Sequence, residues 1–257
     1  MDLGITNRVA LVTGGSRGLG KHAALALARE GARVAICARG ADTLEQAAAE
    51  IKQTGATVLP VPADITDPAD ARRLVETVTA ELGPVDILAN NAGGSRGSTL
   101  LNTSDEDLRE AFELNLFGGL ELIRLVAPGM RERQWGRIIN VASIWGREHG
   151  GTFAYMSAKS AVISATKHLA LEFAADNVLV NSIAPGSILF EGGGWDRFVK
   201  NSPEEQVEAF IQHNLPMGKF GWPEAVGDLV AFLASERASL ITGACINIDG
   251  GQTKSLI

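Results

Sequence analysis

Tyrosine occurs once in these 257 residues, at position 155, and cysteine only twice, at Cys37 and Cys245. Two cysteines in apolar segments far apart argue against a disulfide framework and read as small buried hydrophobes in a reducing compartment. Histidine is sparse too. His22, His149, His168 and His213 form no pair at metal-ligand spacing, so no metal is expected. No stretch reaches the roughly 18 apolar residues of a membrane span, and Met1–Asp2–Leu3–Gly4 carries neither the basic region nor the apolar run of a secretory signal. The expected location is the cytosol, with no membrane partner. Positive charge is also short: 23 lysines and arginines against 30 acids leave a net charge of −7, which disfavours a nucleic-acid partner.

With 46% hydrophobic and 21% charged residues the chain is globular in composition, and one unit of this length hides roughly 70–75% of its extended surface without a staple. Short β-branched runs alternate with helical stretches. The expected strands are Arg8–Val12, Arg33–Ala38, Thr57–Val61, Val85–Ala89, Gly136–Ala142, Val178–Ala184 and Ala244–Ile248. Between them lie Ala-, Leu- and Glu-rich segments at Leu19–Glu30, Thr43–Gln53, Asp67–Leu82, Asp105–Arg131, Phe153–Ala174 and Pro223–Ser235. Asp67 with Pro68, and Ser104, mark helix starts. Such alternation predicts an α/β, doubly wound, seven-stranded parallel sheet covered on both faces. No linker or repeat divides residues 1–257, so a single domain is expected. The irregular stretch from about 187 to 221, with Gly192–Gly194, Trp195 and a helical piece around Pro203–Gln212, is expected to form a mobile lid.

The first strand runs into Thr13–Gly14–Gly15–Ser16–Arg17–Gly18–Leu19–Gly20 where a helix begins. Glycines at such a turn allow close backbone approach, and free amides with the helix dipole favour an anionic pyrophosphate. The second strand ends Cys37–Ala38–Arg39, with no acid for ribose hydroxyls. Arg39 and Arg17 suit a 2′-phosphate instead, which favours NADP over NAD.

Lys159 follows Tyr155 by four residues, on one helix face. A phenol with a pKa near 10 is too weak an acid at neutral pH unless its anion is stabilised. An ammonium at about 4 Å, with an effective dielectric near 20, contributes roughly 4 kcal/mol, or about three pKa units, against desolvation. The expectation is a net lowering where the lysine lies close. Ser143, ending the fifth strand, is placed to hydrogen-bond a substrate oxygen.

In these motifs, in their order, the chain resembles the short-chain dehydrogenase/reductase family. Asp64, Asn90–Asn91–Ala92–Gly93, Leu114–Asn115–Leu116, Pro185–Gly186, Thr242–Gly243 and Asp249–Gly250–Gly251 complete the set. The resemblance implies a Rossmann-type fold with strand order 3-2-1-4-5-6-7 and a homotetramer whose contacts use the Asp105–Arg131 and Phe153–Ala174 helices. It implies Tyr155 as proton donor or acceptor, Lys159 lowering its pKa and holding the nicotinamide ribose, Ser143 orienting the carbonyl, and Asn115 supporting a water chain. It also implies cofactor contacts from Gly14, Ser16, Arg17, Gly18, Leu19, Gly20 and Arg39, from Asp64 and Ile65 at the adenine, from Asn91, Ala92 and Gly93, and from Pro185, Gly186 and Ile188 at the nicotinamide.

The substrate is expected to meet Gly94–Leu100, the lid, and Ile144–Thr152 with Trp145, Arg147, Glu148 and His149. Similarity is greatest to reductases of 3-oxoacyl thioesters, with sugar and polyol dehydrogenases close behind. Arg131 and Arg133 could form part of a basic patch for an acyl carrier protein, but Asp176 would repel an acidic carrier. The leading expectation is an NADPH-dependent enzyme acting on a small carbonyl or alcohol substrate. The alternatives are an NAD-linked sugar or polyol dehydrogenase and a non-catalytic dinucleotide sensor.

Overall fold

The computed structural model describes residues 2–256. Its β-branched runs form β1 (Val9–Thr13), β2 (Arg33–Ala38), β3 (Val58–Pro62), β4 (Ile87–Asn90), β5 (Gly136–Val141), β6 (Val178–Pro185) and β7 (Cys245–Ile248). They pair in parallel in the order β3-β2-β1-β4-β5-β6-β7. The doubly wound parallel sheet expected from the alternation is therefore present, in the Rossmann-type order that the resemblance implies, with each expected strand within a residue or two of its place.

Both faces of the sheet are buried, because alternate side chains of each strand enter different cores. Ala10 and Val12 of β1 join the core under α1 (Gly18–Arg29), α2 (Ala41–Lys52) and α9 (Pro223–Ala234). Val9 and Leu11 join the opposite core under α3 (Pro68–Leu82), α5 (Gly118–Glu132) and α6 (Phe153–Phe173). The caps form as expected: Asp67 accepts from Ala69 N at 2.9 Å ahead of Pro68, and Ser104 accepts from Asp107 N at 3.0 Å at the start of α4 (Asp105–Phe112).

Two expectations need correction. The 105–131 helix is not continuous: a π-helical turn, Glu113–Phe117, separates α4 from α5. The 187–221 stretch holds two helices rather than one, α7 (Gly194–Asn201) and α8 (Glu204–Asn214). Its ends are clipped together where Ile188 bridges Gly221, with Leu189 N donating to the Gly221 carbonyl at 2.9 Å. No helix among the described residues is long and apolar enough to cross a membrane.

Candidate active site

A cleft of about 970 Å³ runs along the carboxyl ends of the strands. Its floor is the glycine-rich turn after β1. Gly14 and Gly18 take φ values of +63° and +53°, a region that favours glycine, and a Cβ on Gly20 would strike the Gly14 carbonyl and the Asn91 amide. Asn91 ties this turn to β4. Its Nδ2 donates to the Thr13 carbonyl at 2.9 Å, and its backbone N and that of Ala92 both donate to Thr13 Oγ1 at 2.9 Å. α1 begins with Arg17 at its N-cap, no side chain capping its first amides and no acid in its first turn. A side-chain-free floor beside open helix amides fits the pyrophosphate of a dinucleotide.

Of the residues expected from the sequence, Gly14, Ser16, Arg17, Leu19, Arg39, Asp64, Ile65, Asn91, Ala92, Gly93, Ser143, Tyr155, Lys159, Pro185, Gly186 and Ile188 line this cleft. Gly18, Gly20 and Asn115 lie outside the lining: Gly18 packs against the Phe190 ring and Gly20 against the Gly14 carbonyl, while Asn115 is buried. At one end Arg39 stands 68% exposed with Nη1 3.9 Å from Asp64 Oδ2. The other Asp64 oxygen is committed to Thr66, accepting from its N at 3.0 Å and its hydroxyl at 2.8 Å. Burial pushes the Cys37 thiol beside them up to about 12, so it stays protonated and unreactive. Cys245, the other free thiol, is only half-buried.

At the opposite end, α6 presents Tyr155 and Lys159 toward Ser143. Ser143 Oγ accepts from Trp145 N at 3.2 Å, which leaves its O–H to donate to the Tyr155 phenol oxygen. Lys159 is buried, and its Nζ donates to the Val141 carbonyl at 2.7 Å, 5.6 Å from the centre of the Tyr155 ring. With a neutral carbonyl for a partner, burial pulls its pKa down to about 8. The phenol behaves differently from expectation. Burial pushes its pKa above the ordinary value, opposed by the hydrogen bond from Ser143. At this geometry the ammonium is turned onto the Val141 carbonyl, 5.6 Å from the ring centre, and desolvation sets the direction.

The π-helical turn explains Asn115. The wider turn carries Asn115 into the interior, where Nδ2 donates to the Ala111 and Gly94 carbonyls, both at 2.8 Å, and Oδ1 accepts from Gly94 N at 3.1 Å. Gly93 is the point where these parts meet. A Cβ there would lie 2.8 Å from Asn115 Oδ1 and 3.3 Å from Lys159 Nζ.

Sequence reasoning missed the extent of the aromatic wall. Trp145 stands edge-on to Tyr155 with centroids 6.4 Å apart and reaches Trp195 at 6.4 Å. Trp195 in turn packs on Phe210 at 4.6 Å, Phe220 at 5.5 Å and Phe198 at 5.7 Å. Phe210 and Phe220 carry no local signal beyond lying in the irregular stretch. Two residues expected at the substrate face elsewhere: Arg147 donates to the Cys245 carbonyl on β7, and Glu148 Oε2 accepts from Lys254 N at 2.7 Å and Ser255 N at 3.1 Å. Arg96 lines the cleft but pairs with Glu110 at 3.2 Å. Arg131 and Arg133 precede β5 at the amino end of the sheet, paired with Asp176 at 2.5 Å and Asp86 at 3.3 Å.

Comparison with known proteins agrees with this architecture. The model of the short chain dehydrogenase family matches residues 8–193. The chain is 36% identical to the 3-oxoacyl-acyl-carrier-protein reductase of Escherichia coli (strain K12) over 246 residues, covering 95% of this chain and 96% of that one. The reductase of the same name from Staphylococcus epidermidis is 34% identical, with 95% and 98% covered. Among solved structures, L-sorbose reductase from Gluconobacter frateurii, complexed with NADPH and L-sorbose, superposes with a TM-score of 0.94 at 35% identity over 100% of both chains. Levodione reductase gives 0.90 at 31% identity, with 97% of this chain and 98% of that one covered.

Proposed function

Because the chain belongs to the short-chain dehydrogenase family, we propose that it is an NADPH-dependent oxidoreductase that interconverts a small ketone and its secondary alcohol. The observation that carries this reading is the convergence of Ser143, Tyr155 and Lys159 in one cleft with an uncapped helix N-terminus. When bound, the nicotinamide supplies or accepts the hydride. The chain's own residues handle the proton and the positioning. Ser143 donates a hydrogen bond to the carbonyl oxygen, and Tyr155 gives that oxygen its phenolic proton in the reductive direction. Lys159 holds the nicotinamide ribose and, when its ammonium turns from Val141 toward the phenol, lowers the Tyr155 pKa. Asn115 fixes the Gly94 backbone beside Lys159 and supports a water path to it.

The adenosine end supports NADP. Arg39 follows β2 exposed and Arg17 lies on the glycine-rich turn, so both are available to a 2′-phosphate, while Asp64 has one oxygen committed to Thr66. The contacts assigned by resemblance to Gly14, Ser16, Asn91, Ala92, Gly93, Pro185, Gly186 and Ile188 belong to this same reading. Assembly as a homotetramer through the helices named for oligomer contacts belongs to the same reading and rests on the family resemblance. Light scattering after size exclusion tests it.

A substrate of 3-oxoacyl-thioester type is supported by the named relatives. A second reading, a sugar or polyol dehydrogenase, is favoured by Trp145 and Trp195, whose flat faces suit a compact polyhydroxylated or cyclic ketone. The test is one panel of 3-oxoacyl thioesters, cyclic ketones and ketoses, read by absorbance of NADPH and then of NADH. Turnover with a higher kcat/KM for NADPH is expected. A preference for NADH overturns the cofactor assignment, and tight dinucleotide binding with no turnover across the panel favours the sensor.

A further inference from the structure

The segment after β7 enters neither the fold argument nor the proton chemistry, yet it touches both walls of the site. Its start is folded back on itself by Asp249, whose carboxylate accepts from Gly251 N at 2.9 Å and Thr253 N at 2.8 Å. Gly250 and Gly251 make the reversal at φ values of +62° and +82°. This turn delivers Gln252 to Ser187. The Gln252 Oε1 accepts from Ser187 N at 2.7 Å, and its Nε2 donates to Ser187 Oγ at 2.9 Å. Ser187 itself is buried and is the residue at which β6 becomes the lid. Its carbonyl accepts from Gly221 N at 3.0 Å, so the same residue also holds the far root of the lid. Further along, the tail amides of Lys254 and Ser255 rest on Glu148, in the stretch between Ser143 and Tyr155.

We infer that Gln252 is a positioning residue: the C-terminal tail is a strap whose side-chain amide fixes Ser187, and through it the Pro185–Ile188 wall and the hinge of the lid. The argument is one of donors and acceptors. Ser187 has a buried N–H and hydroxyl, and a single planar amide satisfies both, which sets the rotation of the chain at that residue. There is no room for the strap to slide, because a Cβ on Gly186 would lie 2.7 Å from both Asp249 Cβ and Gln252 Oε1. Glu148 anchors the distal end, so displacement of the substrate stretch and displacement of the lid root are mechanically linked.

The role in cofactor binding rests on the reading of the cleft as a dinucleotide site; the role at the hinge does not. Two variants of the full chain separate them. Gln252→Leu keeps the size and removes both bonds, whereas Gln252→Glu keeps the acceptor for the Ser187 N–H and replaces the Nε2 donor by a second acceptor, toward which the Ser187 hydroxyl can turn to donate. Amide hydrogen exchange in the cofactor-free protein is expected to quicken at Ser187 by about tenfold or more in Gln252→Leu and to stay near wild type in Gln252→Glu. NADPH affinity, followed by tryptophan fluorescence, is expected to fall about tenfold in Gln252→Leu and to recover in Gln252→Glu. Glu148→Ala, which frees the distal end, is expected to shift both readouts in the same direction by less. Unchanged exchange at Ser187 in Gln252→Leu overturns the strap. Exchange that quickens while NADPH affinity holds confines it to the hinge and overturns its role at the nicotinamide wall. If the wild type binds neither dinucleotide, the proposed function falls while the exchange result still decides the strap.

Discussion

The two ends of the sheet treat polar groups in opposite ways. At the amino end, charges are spent on one another. Asp86 accepts from Val9 N at 3.1 Å and lies 3.3 Å from Arg133 and 3.8 Å from Arg8. The Trp135 indole sits between the guanidinium groups of Arg8 at 3.7 Å and Arg137 at 4.4 Å, while its Nε1 donates to Glu236 at 2.6 Å. Arg137, 1% exposed, lies 3.5 Å from the same carboxylate. At the carboxyl end, α1 starts uncapped, and Lys159 is buried against a neutral carbonyl. Groups that a purely structural design would satisfy internally are left open there. The contrast separates residues that hold the sheet from residues held ready for a ligand.

The largest effect that would break the comparison is at Tyr155. Tyr155→Phe keeps the ring that packs on Trp145 and removes only the hydroxyl. Turnover is expected to fall by about 10²–10⁴-fold, with NADPH binding and the thermal midpoint retained. Substantial residual activity would take the phenol out of the chemistry. The matching test at the amino end is Arg137→Ala, which strips one face of Trp135 and unpairs Glu236. Since Glu236 is half exposed, we expect a loss of about 3 kcal/mol of unfolding free energy, the lower end for a broken buried pair. Kinetic constants measured below the transition should not move. Arg137→Met, which refills the volume, should recover most of the loss in urea titration.

Lys159 gives a pH test of intermediate size. Its pKa of about 8 lies below the ordinary 10.5, so between these values the unfolded chain holds more protons than the folded one. The cost of burying the ammonium is then complete below pH 8 and fades as pH rises toward 10.5. The cofactor-free protein should gain stability across that window, and Lys159→Met should lack the gain. On the proposed roles, reduction requires both Lys159 and Tyr155 to be protonated. The free-enzyme kcat/KM is therefore expected to decline above about pH 8, before the phenol itself titrates. A profile flat to pH 10 would show that the ammonium is not needed.

What was legible in the sequence follows the same division between local and distant causes. Strands buried on both faces read as largely apolar, β-branched runs, so β1, β2, β5 and β6 could be read to within a residue or two. The glycine-rich turn and the Tyr155–Lys159 spacing are also local, and they locate the two ends of the cleft. What could not be read depends on partners far along the chain. The π-helical turn has ordinary helical composition, and what accompanies it is the bonding of Asn115 to Gly94, 21 residues away. Arg147 and Glu148 look like substrate contacts until β7 and the tail, about a hundred residues on, claim them. The phenol pKa could not be signed either, because spacing on a helix does not say which way a lysine turns.

The smallest expected effect concerns a surface pair, and it sharpens the comparison most finely. If the amino end serves only the sheet, then Arg131 is there for Asp176 and for the Phe173 ring, 5.4 Å away, and not for an acidic carrier. Arg131 holds Asp176 well below the usual carboxylate range, with Gln134 adding a second bond at 3.2 Å, so the pair is nearly self-neutralising toward an approaching anion. Arg131→Ala should therefore leave unchanged the ratio of kcat/KM for a carrier-bound 3-oxoacyl thioester to that for the same acyl group on a small thiol. Asp176→Asn, which uncovers the guanidinium charge, should raise that ratio modestly at low ionic strength and not at high. A fall in the ratio for Arg131→Ala would mean that the amino end does recognise a partner, and that its charges are not spent wholly on the chain itself.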